Sequence, residues 1–352
     1  MVAGRLPVHP GAPPSDVRSC AWSQRRAGTI GAVSAPRIGL VLGSGGLAGT
    51  AFHAGVLTAL ARDVGWDARD AEVVVGTSAG STSAALLRAG FPPGDYVSRI
   101  TGEAMSADGE RLMRDIAPVS VSPPRRSGGW PAPASTALLR RALLRPGSVH
   151  PGALLAGALP LGATPNGDVA AAIGPLHAQG WPERSLWVCA VRMDTGARVV
   201  FGRDIDAPPA SVAEAVTASC AIPAYFAPPV IDGVRYVDGG VRSLCNLDLM
   251  AGLGLDLVIV SAPMSSSAWV EPRRDVALRT WARAQLEREA RRVRASGTPV
   301  LLLHPGAAAR AAMAGGAMNA TCRPAIARTV RDRALKDLGA ENSALLQRLA
   351  AG

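Results

Sequence analysis

The chain has 352 residues, 48% of them hydrophobic, enough to bury a sizeable core as two domains or as one large α/β domain. Its formal net charge of +10 rests on arginine, since Lys336 is the only lysine, and with abundant Ala, Gly and Pro this reads as coding bias and not as selection for a ligand. No aromatic RNP pattern, zinc-finger spacing or basic zipper occurs, so no nucleic-acid partner is expected, and the five cysteines, without a C-x-x-C pair, read as reduced thiols and not as a disulfide frame or zinc site.

Residues 1–36 are rich in Pro, Gly, Ala, Ser and Arg and lack a hydrophobic period, so they read as a disordered leader or an over-extended start. They hold no continuous apolar stretch of the kind a secretory signal needs. The longest apolar run, Ala153 to Ala163, is short and broken by Pro160. A cytoplasmic protein with at most peripheral membrane contact is expected.

The pattern changes at Arg37. Arg37 to Leu42 reads as a buried strand that runs into Gly43-Ser44-Gly45-Gly46-Leu47-Ala48-Gly49, and Ala51 to Ala61 has helical spacing. Amides of such a loop point toward negative charge at the helix start. A dinucleotide pyrophosphate is disfavoured, because the glycine spacing is incomplete and the next strand carries no acidic ribose ligand. A tetrahedral oxyanion fits better.

That next strand, Val73 to Val75, leads into Gly76-Thr77-Ser78-Ala79-Gly80 and then a helix. This is a G-x-S-x-G elbow: a strand turning sharply into a helix crowds its neighbours, so Gly76 and Gly80 flank a serine whose hydroxyl stands at the tip. From 91 to 180 the chain reads as an insertion. It holds a Pro- and Gly-dense segment over 118–133, with Trp130, Arg125 and Arg126, that reads as a lid or a long loop, followed by helical pieces at Leu138–Leu144 and Pro151–Leu161.

Ser185–Val191 and Ala197–Phe201 read as strands joined through Asp194-Thr195-Gly196. Ser211 with Glu214 forms a capping box that starts a helix. Beyond the apolar bend of 220–230 comes an Asp232-Gly233 turn between short strands, with Asp238-Gly239-Gly240 just after the second. Leu255–Ser261 reads as a buried parallel strand. A helix follows with Leu278, Trp281, Ala282, Leu286, Ala290 and Val293 on one face, then a strand, Pro299–Leu303, ending at His304. From Glu271 onward fifteen basic residues stand against seven acidic, 8 of the net +10, a solvated helical surface or a face toward anionic membranes.

A glycine loop after the first strand, a G-x-S-x-G elbow after the second and a later D-G-G turn together resemble the patatin-like phospholipase family. The likeness runs from about Arg37 to Pro263 and includes Ala218-Ser219-Cys220-Ala221-Ile222-Pro223 ahead of Asp238. It implies a three-layer α/β/α sandwich with a central, mostly parallel sheet and a cap insertion. It also implies lipid or other ester hydrolysis by a serine and aspartate dyad, without metal or cofactor. Carried over, the nucleophile is Ser78, the general base and acid is Asp238, and the oxyanion donors are the amides of Gly45, Gly46 and Leu47.

Two positions depart from the family: Ala48 stands where Arg or Lys is common, and Ser44 replaces the opening glycine. The expected layout is a catalytic domain over 37–265 with its cap at about 91–180, and a helical extension over 266–352 packed on it. Oligomeric state is left open. Two rivals remain: an α/β-hydrolase triad of Ser78, Asp238 and His304, whose chain order fits, and a catalytically silent acyl-lipid binding protein on the same fold.

Overall fold

In a computed structural model of the protein, residues 36–114, 116, 132–265, 273–338 and 340–350 are described. The leader apart from Pro36, and the 118–133 segment apart from its last two residues, lie outside them.

The first half of the described chain alternates strand and helix. β1 (Ile38–Leu42) leads to α1 (Gly46–Ala59), and β2 (Val73–Gly76) to α2 (Ala79–Arg88). The insertion follows as α3 (Asp95–Thr101), α4 (Ala107–Met113), α5 (Thr136–Leu144), α6 (Pro151–Ala158) and α7 (Gly167–Ile173). Next come β3 (Ser185–Arg192), β4 (Arg198–Phe201), α8 (Val212–Ser219), β5 (Val230–Ile231) and β6 (Val234–Asp238). The chain closes with β7 (Leu257–Ser261), α9 (Arg273–Ala295), β8 (Val300–Leu303), α10 (Ala307–Met313), α11 (Arg323–Arg333) and α12 (Ala340–Ala350).

The eight strands form one sheet in the order β5-β6-β3-β2-β1-β7-β8, with β4 also paired to β3. Neighbours from β3 through β8 are parallel, while β4, β5 and β6 join antiparallel. Parallel strands are buried on both faces, which is why β1, β2 and β7 read as unbroken apolar runs. Along β1, Leu40 and Leu42 face a core shared with Phe52 of α1, Val216 of α8 and Ile326 of α11. Val41 points to the opposite core, closed by Leu286, Ala290 and Val293 of α9. The sheet is thus sandwiched between helices, giving a three-layer α/β/α fold. A smaller cluster joins Leu138 and Ala153 of the insertion to Val191 and Val237 of the sheet.

Two sequence expectations change. α1 begins at Gly46, not Ala51, because the glycine loop itself winds into the helix. Trp281, expected on the buried face of α9, is 39% exposed; it lies one residue, about 100°, off the stripe of Ala282, Leu286, Ala290 and Val293 that meets the sheet. The turns fall where their chemistry demands: Asp232 and Gly233 both adopt positive φ, at 49° and 74°, between β5 and β6. The capping box of Ser211 and Glu214 opens α8.

Candidate active site

Ser78 occupies the turn between β2 and α2 with φ 54° and ψ −122°, a conformation that costs a residue with a side chain on the order of 1–3 kcal/mol. Its neighbours hold it there. Thr77 donates its amide to the Leu42 carbonyl at 3.0 Å, Ser78 donates its own to Ser219 Oγ at 2.9 Å, and Ser81 Oγ donates to the Ser78 carbonyl at 2.7 Å. A Cβ on Gly80 would lie 1.9 Å from the Leu42 carbonyl oxygen, and one on Gly76 would lie 2.5 Å from Ser81 Cα. Both glycines are therefore steric requirements of the elbow.

The glycine loop runs alongside. Gly46 has φ 58°, and a side chain there would meet the Ala317 carbonyl and Met318 Sδ, each at 2.8 Å. Ala48 donates its amide to that Ala317 carbonyl at 2.9 Å. Among the described residues, the amides of Gly45, Gly46 and Leu47 donate to no backbone carbonyl, as expected of unpaired N–H groups at a helix start.

His53 of α1 braces the loop from below. It is fully buried and hydrogen-bonds Gly43 O through Nε2 at 2.7 Å and Ser261 Oγ through Nδ1 at 2.8 Å. A carbonyl can only accept, so Nε2 carries the proton and Nδ1 accepts from the Ser261 hydroxyl. Burial lowers the His53 pKa to about 4, against the opposing pull of the Gly43 bond, so the ring stays neutral at ordinary pH.

Asp238 ends β6, and its amide donates to the Ala221 carbonyl at 2.9 Å. Its side chain is buried, and Oδ1 accepts the Gly240 amide at 2.7 Å. Burial raises its pKa to about 6, while hydrogen bonds from the Ser78 hydroxyl and then the Gly240 amide act in the opposite direction. A Cβ on Gly239 would strike the Cys189 carbonyl at 2.3 Å, and one on Gly240 would lie 2.8 Å from Ser44 Oγ, so both turn glycines are enclosed.

Ser78, Gly46 and Leu47 open on a cavity of about 560 Å³ whose wall includes Leu86, Ile100, Met113, Ile222 and Phe226. Mostly apolar pockets of this size with a few polar groups hold small organic ligands. His304, by contrast, is exposed at the end of β8 with Arg283, Glu287 and Arg310 as its charged neighbours, and it does not line this cavity. Among the described residues no group of three or more His, Cys, Asp or Glu could hold a metal ion.

Two supporting residues were not singled out by the sequence, Ser219 and Asn246, nor were Arg99 and Arg323, which line the cavity. Asn246, at φ 54°, donates through Nδ2 to Thr77 Oγ1 at 3.1 Å and so ties the elbow to the segment after the D-G-G turn. Only Ser219 carried a signal, since it lies inside the Ala-Ser-Cys-Ala-Ile-Pro stretch.

The patatin-like phospholipase family model matches residues 40–251. The chain belongs to this family. Its domain is a patatin-like phospholipase domain, which supports lipid acyl hydrolysis as its chemistry. Among solved structures, VipD from Legionella pneumophila is 15% identical over 89% of this chain and 67% of its own, with a TM-score of 0.40. The type III effector protein ExoU is 18% identical over 90% of this chain and 54% of its own, with a TM-score of 0.33, so the chain spans about half of ExoU.

Proposed function

We propose that the protein is a lipid acyl hydrolase acting on carboxylic esters with Ser78 as nucleophile, Asp238 as general base and acid, and the amides of Gly45, Gly46 and Leu47 as oxyanion donors. The observation that carries this reading is the pairing of Ser78, held in a turn at positive φ, with the buried Asp238 carboxylate on which the Ser78 side chain acts. A serine hydroxyl attacks an ester only if a base takes its proton in the same step, and a carboxylate raised toward neutral pKa is better suited to that than an ordinary one.

Asp238 accepts the Ser78 proton as Oγ adds to the ester carbonyl, and the loop amides stabilise the oxyanion. Asp238 then returns the proton to the departing alcohol, leaving an acyl-serine. Water, deprotonated by the same carboxylate, adds to the acyl group; Asp238 reprotonates Ser78 Oγ as the fatty acid leaves. Losing one oxyanion donor typically costs roughly 2.7–4 kcal/mol of barrier.

The dyad is favoured over a Ser78-Asp238-His304 triad because the groups acting on Asp238 are Ser78 and Gly240, while His304 faces Arg283, Glu287 and Arg310. An intact nucleophile and base also weigh against a silent lipid-binding protein. Contact with an anionic membrane belongs to the same reading. Leu143 and Leu144 at the end of α5 and Leu155 of α6 are 80%, 67% and 63% exposed, beside Arg140, Arg141 and Arg145. Exposed leucines with arginines close by in the sequence suit the interface of an anionic bilayer. Among the described residues no helix is long and apolar enough to cross a membrane.

Hydrolysis of a p-nitrophenyl ester series by wild type, Ser78→Ala, Asp238→Asn and His304→Ala tests the assignment, with circular dichroism to check folding. Activity falling by about 10²–10⁴ or more in the first two variants and persisting in His304→Ala is expected. Loss in His304→Ala as well moves the assignment to the triad. A folded wild type that hydrolyses nothing and resists a fluorophosphonate probe leaves lipid binding.

A further inference from the structure

The cavity beside Ser78 holds a charge arrangement that acyl chains do not explain. Arg99 of α3 and Arg323, the first residue of α11, both line it, although they are more than 200 positions apart in the sequence. Arg99 is held by a thioether, its Nε donating to Met113 Sδ at 3.1 Å, and Nε of Arg323 is buried with no hydrogen-bond partner. Burial holds both guanidiniums below their usual pKa, and at Arg323 the like charge of Arg99 lowers it further. Glu103, on the same wall, is occupied by Arg328 at 3.0 Å and Arg331 at 3.6 Å. Arg323 also stands at the positive end of α11, whose first turn carries no acidic residue.

Two guanidiniums brought together in a largely apolar cavity, with one donor unpaired, are costly unless an anion completes them. Guanidinium forks match the oxygens of a phosphate. We propose that Arg99 and Arg323 form a subsite for the phosphate of a glycerophospholipid whose acyl ester is presented to Ser78. The substrate class is then phospholipid in preference to uncharged acylglycerol. This rests on the acyl hydrolase reading for its substrate, but the anion site has a readout of its own.

That readout is binding of dodecyl phosphate to the full chain carrying Ser78→Ala, measured by calorimetry, with inorganic phosphate as a second ligand. Adding Arg99→Gln or Arg323→Gln is expected to weaken dodecyl phosphate binding tenfold or more, and Arg99→Lys or Arg323→Lys to recover most of it, with thermal melts showing each variant folded. Unchanged binding in the Gln variants overturns the subsite. So does an equal loss in folded Lys variants, which marks a packing role. Inorganic phosphate binding as tightly as dodecyl phosphate overturns the lipid assignment in favour of a free-phosphate site.

In the Ser78 enzyme, the ratio of kcat/KM for dihexanoyl phosphatidylglycerol to that for p-nitrophenyl butyrate should fall at least tenfold in the Gln variants; an unchanged ratio overturns the proposed specificity. Failure of the hydrolase reading looks different: neither ester is cleaved by wild type, while the arginine-dependent binding persists and upholds the anion site.

Discussion

The elbow and the cap meet at one cavity but are built on opposite terms. Around Ser78 the elbow glycines Gly76 and Gly80 are fixed by backbone atoms a side chain would strike, and Ser219, Asn246 and His53 brace the elbow and the loop from separate segments. In the insertion, by contrast, helices are short, leucines on α5 and α6 face outward, and glycines such as Gly147 and Gly167 have nothing within 4 Å of a built Cβ. The proposed chemistry, which depends on a reacting atom held to a fraction of an ångström, belongs to the first region. The second is free to vary with the surface or substrate it meets.

The sharpest way to break this contrast is to add the same methyl group to both regions. Gly80→Ala would place a carbon 1.9 Å from a carbonyl oxygen and should cost more than about 4 kcal/mol or prevent folding, whereas Gly167→Ala should change stability by no more than about 0.5 kcal/mol. Thermal melts of the two proteins decide it, and similar melting temperatures would undo the comparison.

Next in size is Asp238→Asn. The folded pKa of Asp238, about 6, lies above its usual 3.8, so the folded state holds this proton more tightly than the unfolded chain. Stability from this group is full below pH 4 and is lost as pH rises through 6. The Asn variant, inactive, should therefore be more stable than wild type at pH 8 by on the order of 2–3 kcal/mol, with the difference shrinking toward pH 4, in urea unfolding. By the same ionisation, wild-type kcat/KM should climb with pH through about 6. A flat profile there would remove Asp238 as the base.

His53→Phe leaves the Gly43 carbonyl and the Ser261 hydroxyl without a buried partner, a loss of about 1–3 kcal/mol. Because the loop it braces carries the proposed oxyanion donors, kcat should drop about tenfold with KM little changed. The smallest effect on folding belongs to the cap. Leu143→Ser with Leu144→Ser should leave the melt within about 0.5 kcal/mol of wild type, yet reduce partition onto anionic vesicles at least tenfold in a sedimentation assay.

What could be read from sequence divides along the same line. The glycine loop, the elbow and the Asp-Gly turn were legible because each encodes a local backbone demand that few residues satisfy. The start of α1 was missed because Gly46 and Gly49 are poor helix formers on their own. Close packing keeps them: a Cβ on Gly49 would crowd Ala79 at 3.2 Å. Trp281 was misplaced because apolar character at helical spacing cannot locate the edge of a buried stripe to within one residue. The cavity was invisible altogether, since its wall gathers residues from Gly46 to Arg323, and neither arginine has a neighbour in sequence that marks it.

The amide clamp from Ala48 to Ala317 and the packing of Gly55 against Val330 have a temporal meaning as well. The family match ends at residue 251, yet the glycine loop is buttressed by Ala317 and Met318 and the helix it opens by α11, all from near the far end of the chain. During synthesis α1 can pack on α2 and α3 early, but its Gly55 face stays uncovered until α11 has emerged, a closure over most of the chain that local contacts cannot hasten. The last open face of α1 is thus closed only by sequence from beyond the family match.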